Sequence, residues 1–173
     1  MKQFLLTLLL SILSTSCVIT KGKDGEPGKP GNSGSSAVTA VKTTYNQKLA
    51  DSLGADERGM KTYMLVILKT GPKDALITDK AKREELFKGH FSNMEVMQKA
   101  GKLKIAGPFA TKNNLQYRGL FLLDVKTEEE AKLLVQQDPT IKEGVFEVEI
   151  LPWYGSAAIP LYLKHHEEIT KTK

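Results

Sequence analysis

Cysteine is almost missing from this chain of 173 residues: Cys17 stands alone, and nothing after it can form a disulfide or supply a nucleophilic thiol. No glycine-rich phosphate loop, serine nucleophile elbow or HExxH metal motif occurs either. Nucleotide-dependent chemistry, serine hydrolysis and zinc hydrolysis therefore have no carrier, and no cofactor or metal is expected. The formal net charge is only +5, with lysines scattered among acidic residues. There is no arginine-rich stripe with interleaved aromatics, so nucleic acid is not an expected partner. Long apolar runs are scarce as well. The run at residues 4–13 falls short of the roughly 20 residues a membrane-spanning helix needs.

That short run does fit a leader. Lys2 supplies a positive start, residues 4–13 an apolar centre, and Ser14-Thr15-Ser16 small residues just before Cys17. The arrangement resembles the lipobox of bacterial lipoproteins, with Ser14 where leucine is commoner, and implies lipidation at Cys17. Residues 1–17 are thus expected to be a lipoprotein signal peptide that anchors the protein at the bacterial cell envelope. The alternative is an ordinary secretory signal and a secreted or periplasmic protein. Residues 18–44 follow as a spacer: Gly22, Gly25, Gly28, Gly31 and Gly34 keep the collagen period of three. So few triplets cannot hold a triple helix, and a hydrated, semi-extended linker rising about 3.1 Å per residue is expected.

Residues 45–60 form an N-terminal extension with a short helix around residues 47–53, broken at Gly54. The folded domain is expected over residues 61–154, with a tail at 155–173. Within it, residues 62–68 (TYMLVIL) read as a strand covered on both faces. A helix follows, capped by Asp79 and ended at Ala100–Gly101, with Leu86, Phe87, His90, Phe91, Met94 and Met97 on one buried stripe. Residues 102–106 alternate as a strand that Gly107–Pro108 stops. Residues 118–125 are a second two-faced strand. Thr127 and Glu130 open a second helix as a capping box, Asp138–Pro139 ends it, and residues 145–150 alternate as the last strand.

The order βαββαβ predicts an α+β, ferredoxin-like sandwich with both helices on one sheet face. Two strands apolar on both faces then require a cover for the other face. A second copy of the sheet is the economical choice, giving a homodimer of the dimeric α/β-barrel type; the WYGSAAIPLY segment is the competing cover.

Each helix carries one titratable residue in line with its buried stripe: His90 within the first, Asp138 where the second ends. Helices side by side on one sheet bring the two within reach, the carboxylate fixing the imidazole tautomer and raising its basicity. Such a pair is expected to open onto a pocket lined by residues 107–109. His90 also has a purely structural reading, a core histidine satisfied by a carbonyl, and Asp138 one as a turn-forming Asp-Pro. His165-His166-Glu167-Glu168 reads as a polar tail, since adjacent histidines cannot share a helix face. Trp153 and Tyr154 either line a pocket or pack on the sheet.

GHFSNM at residues 89–94, AGPF at 106–109, EEAKLLVQQDP at 129–139 and VFEVEILPW at 145–153 occur in an order and spacing similar to the YCII-related (YciI-like) family. The resemblance implies a ferredoxin-like fold, dimeric through its sheets, and a His/Asp-centred active site carried onto His90 and Asp138. At least one member of that family is a dehydrochlorinase of a chlorinated hydroxyquinol. Two classes of function stay open: an enzyme acting on a small molecule through a His/Asp acid–base pair, of lyase, dehydrochlorinase or isomerase type, and a non-catalytic, membrane-tethered binding or dimerisation module.

Lipidation at Cys17 has a direct test. Labelled palmitate should enter the wild-type protein and be lost from Cys17→Ala; label retained by the variant would show that the anchor lies elsewhere.

Overall fold

The computed structural model describes residues 44–171; the expected leader at 1–17 and nearly all of the spacer at 18–44 lie outside the described residues. The chain runs α1 (Gln47–Leu53), β1 (Met60–Thr70), α2 (Lys80–Lys99), β2 (Leu103–Pro108), β3 (Tyr117–Leu123), α3 (Glu128–Val135), α4 (Pro139–Lys142) and β4 (Phe146–Ser156). A 3-10 turn (Ile159–Tyr162) and α5 (Leu163–Ile169) complete it. The four strands form one sheet in the order β2-β3-β1-β4, every neighbouring pair antiparallel. With a helix crossing after β1 and another after β3, this is an α+β split-βαβ arrangement.

Local chemistry accounts for the helix ends. The Asp79 side chain accepts a hydrogen bond from the Lys82 amide, and Thr127 Oγ1 accepts one from the Glu130 amide at 3.2 Å. Each satisfies a donor that the first helical turn leaves free. The expected capping box is shifted by one residue: the Glu130 carboxylate accepts from the amide of Lys126 rather than that of Thr127.

Both long helices pack on one sheet face. Leu86 and Met97 of α2, with Ala131 and Val135 of α3, bury against Val66 and Leu123 of the central strands. Alternation sends Tyr63, Ile67 and Leu122 to the opposite face, and these too are buried. Part of their cover comes from β4, which is longer than expected: its pairing with β1 continues to Met60–Ser156. Trp153 therefore packs on the sheet, its ring 6.1 Å from that of Tyr63, and the Tyr63 hydroxyl donates to the Ser156 carbonyl. Beyond β4 the Tyr162 hydroxyl donates to the Lys104 carbonyl of β2 at 2.6 Å. Leu151 and Trp153 nonetheless stay 43% and 39% exposed on this face.

Three local expectations need correction. Gly107 and Pro108 do not stop β2; they pair with Leu120 and Gly119 and lie inside it, Pro108 being tolerable because β2 is an edge strand. Phe91 is not buried with the rest of its stripe but is 62% exposed. Asp138–Pro139 is more than a stop: after α3 ends at Val135, Asp138 becomes the N-cap of the new short helix α4.

Candidate active site

Asp138 and Pro139 form a familiar opening for a helix, a capping carboxylate followed by proline at the first position, where a missing amide costs nothing. In that role Asp138 Oδ1 accepts from the Thr140 amide at 2.8 Å and from the Thr140 hydroxyl at 2.6 Å. Its other oxygen, Oδ2, accepts from His90 Nδ1 at 2.5 Å. Asp138 and Thr140 have no exposed surface, and His90 is 7% exposed. The residues at 90 and 138, on different helices and far apart in sequence, are thus in direct contact.

Gly89 makes that contact possible. A Cβ placed there would stand 2.6 Å from Cγ of Pro139, so α2 comes as close to α4 as it does only because residue 89 lacks a side chain. A helix-interior glycine costs roughly 0.5–1 kcal/mol relative to alanine, and here it sits beside the histidine that needs the close approach.

The imidazole is held in a ring of phenylalanines. Phe121 lies nearly parallel to it at 5.9 Å, while Phe87, Phe91 and Phe146 meet it edge-on at 6.1, 5.4 and 5.6 Å. With Nδ1 committed to Asp138, Nε2 has no hydrogen-bond partner among the described residues, yet no buried, unpartnered side-chain nitrogen or oxygen occurs among them. Nε2 is therefore accessible, and the space it can face is a cavity of about 370 Å³ lined by His90 itself. Leu68, Gly119 and Phe121 supply sheet positions of its wall, Met94 contributes from α2, and Gly107, Pro108 and Phe109 close another side. The volume lies at the small end of the roughly 300–1,000 Å³ typical of ligand sites.

Burial opposes ionisation of Asp138, but the hydrogen bonds from His90 and Thr140 and the imidazole charge outweigh it, leaving its carboxyl below the ordinary carboxylate range. Asp138 is thus the ionised, orienting member, and His90 the member with an atom free to meet a ligand. Among the described residues no cluster of three or more His, Cys, Asp or Glu side chains could hold a metal ion. In the tail, His165 pairs with Glu168 at 2.8 Å in full view of solvent.

The sequence reading had not singled out Thr140, Gly89 or Arg118. Asp-Pro-Thr carried a usable signal, because a capping aspartate with proline at the next position opens a helix as readily as it ends one. Nothing local marked Gly89, whose role depends on a contact across the fold.

Residues 62–154 match the YCII-related domain family. The chain belongs to that family. Among solved structures, it is similar to 5-chloro-2-hydroxyhydroquinone dehydrochlorinase from Burkholderia phenoliruptrix, determined in complex with 2,5-dihydroxybenzoquinone, at 20% identity over 53% of this chain and 92% of that one, with a TM-score of 0.38. No curated protein matches the chain.

The His90–Asp138 contact should leave a pH signature on stability. The folded-state pKa of Asp138 lies below its unfolded value, so its contribution is complete above the unfolded value of about 3.9 and fades as pH falls through the folded one. Asp138→Asn should therefore be less stable than wild type at pH 7 by about 1–3 kcal/mol, the cost of a broken buried hydrogen bond. The gap should narrow in denaturant melts below about pH 4; a gap independent of pH would contradict an ionised Asp138.

Proposed function

We propose that this YCII domain is a small-molecule enzyme in which His90 Nε2 transfers a proton and Asp138 orients the imidazole. The observation that carries the reading is the division of labour on one ring: Nδ1 is tied to a buried carboxylate while Nε2 is left to a ligand-sized cavity. Donation from Nδ1 to Asp138 leaves the Nε2 lone pair free to accept a proton. The imidazolium so formed is stabilised by the carboxylate 2.5 Å away. In an elimination, Nε2 takes the proton from carbon, the C–H electrons become the new double bond, and the leaving group departs with its own bonding pair. A dehydrochlorination is this reaction with chloride leaving. In an isomerisation, Nε2 returns the same proton to a different atom of the substrate. The phenylalanines around His90 give the imidazole an apolar surround on its ring faces and edges.

A role in assembly is supported by a different observation. Leu151 and Trp153 remain half-exposed beside buried neighbours on the sheet face away from the helices, and a second copy of the same face would cover them as a homodimer. Lipidation at Cys17 would hold such a protein at the cell envelope, the spacer setting its distance from the membrane; a secreted or periplasmic protein is the alternative.

Two measurements bear on these proposals. His90→Ala and His90→Gln should abolish turnover in a screen of phenolic and hydroxy-acid substrates. His90→Ala should also lose about 1–3 kcal/mol of stability, because Asp138 is left buried with an oxygen unpaired. Turnover unaffected by either variant would end the acid–base reading. In sedimentation at tens of micromolar, the domain should run as a dimer, and Trp153→Lys should shift it to monomer; a wild-type monomer throughout that range would defeat the assembly proposal.

A further inference from the structure

One charged side chain reaches the cavity from a position where strand alternation would not put it. Leu68 of β1 pairs with Gly119 of β3, but the next pair is Lys69 with Tyr117, so Arg118 is an extra residue in β3. Bulges of this kind re-aim side chains and are common beside active sites. Alternation from Gly119 would send Arg118 to the face away from the helices. Instead its guanidinium lies 5.5 Å from the ring centroid of Phe146, a core residue on the helix side, and Arg118 lines the same cavity as His90. Just upstream, Gln116 takes the left-handed backbone conformation at φ 58°, which costs a non-glycine residue roughly 1–2 kcal/mol.

The charges at this end do not cancel. Asp74 receives Arg118 Nη1 at 3.3 Å on one oxygen and Arg83 Nη2 at 2.8 Å on the other, so one carboxylate serves two guanidiniums. Arg83 is further fixed by the carbonyls of Asp74 and Ile77. Arg118 makes that one hydrogen-bonded pair among the described residues, out of five N–H donors. Among the described residues no acidic side chain lines the cavity, and Arg118 is the one permanently charged residue that does. Phe146 forms a common wall, with the His90 ring 5.6 Å from it and the Arg118 guanidinium 5.5 Å from it.

Taking the His90–Asp138 reading as the site, we infer that its ligand is a flat organic anion, with its carboxylate or ionised hydroxyl bound by Arg118. The aromatic walls pack against a flat ring, and the unspent N–H groups of Arg118 donate to the anionic oxygens. Asp74 and Arg83 are positioning residues that hold Arg118 in place.

The test compares 2-hydroxybenzoate with its uncharged isostere 2-hydroxybenzamide, by calorimetry and by the chemical shift of the His90 ring protons. Wild type should bind the acid about tenfold or more tightly than the amide, the scale of one charge-assisted hydrogen bond. Arg118→Gln should lose that preference, the acid falling to about the affinity of the amide. Equal affinities in the wild-type protein would overturn the inference without relying on any variant to fold. So would an acid preference that survives Arg118→Gln, or an absence of binding by both probes. Turnover is scored separately. His90-dependent turnover without acid preference would sink the role of Arg118 and leave the acid–base pair standing. Acid preference without His90-dependent turnover would do the reverse.

Discussion

A carboxylate with no exposed surface must be satisfied from within, and the architecture around Asp138 follows from that requirement. Thr140 satisfies one oxygen through the geometry of a helix N-cap, which Asp138 needs in any case to start α4. The second oxygen needs a donor from elsewhere, and α2 supplies it as His90. That in turn demands a close approach of α2 to α4, which Gly89 permits against Pro139. The helix cap, the glycine and the histidine are therefore one device, and each would be unremarkable without the other two.

The cavity arises from the same layer by omission. On the helix-facing side of β3, Phe121 and Leu123 are buried core, but Gly119 lines the cavity without a side chain to fill it. Its backbone is held against β2 so tightly that a Cβ would stand 2.8 Å from the Gly107 carbonyl oxygen, so the gap cannot readily be filled by a larger residue. Phe91 meets the His90 ring on one side and stays largely exposed where it lines the cavity. His90 is consequently both a core residue and a cavity residue: its Nδ1 side belongs to the buried network and its Nε2 side to the open space. Stability alone cannot separate a structural from a catalytic role for such a residue, since removing it disturbs both.

The two sheet faces solve their burial differently. The helix side is closed by α2 and α3, with long aliphatic and aromatic contacts. The other side depends on β4 extending past Ile150 to Ser156, which stacks Trp153 on Tyr63 and leaves Leu151 and Trp153 part-exposed.

Periodicity alone determined much of the fold. The unbroken apolar runs at 62–68 and 118–125 marked the central strands, and the caps at Asp79 and Thr127 marked the helix starts, because these signals depend on neighbours within a turn or two. His90 was legible for the same reason, as a polar residue in line with an apolar stripe; Asp138 lies in line with the stripe of α3 in the sequence, but it meets His90 as the N-cap of α4. What periodicity could not carry was anything decided by distance across the fold. Proline within β2 was acceptable because β2 lies on an edge. Phe91 shares the spacing of the buried stripe yet stays exposed where it lines the cavity. Arg118 turned toward the cavity because β3 holds one residue more than β1 at that point, and register is a property of two strands together. Those outcomes belong to tertiary structure, where the partner of each residue, rather than its own pattern, determines where its side chain goes.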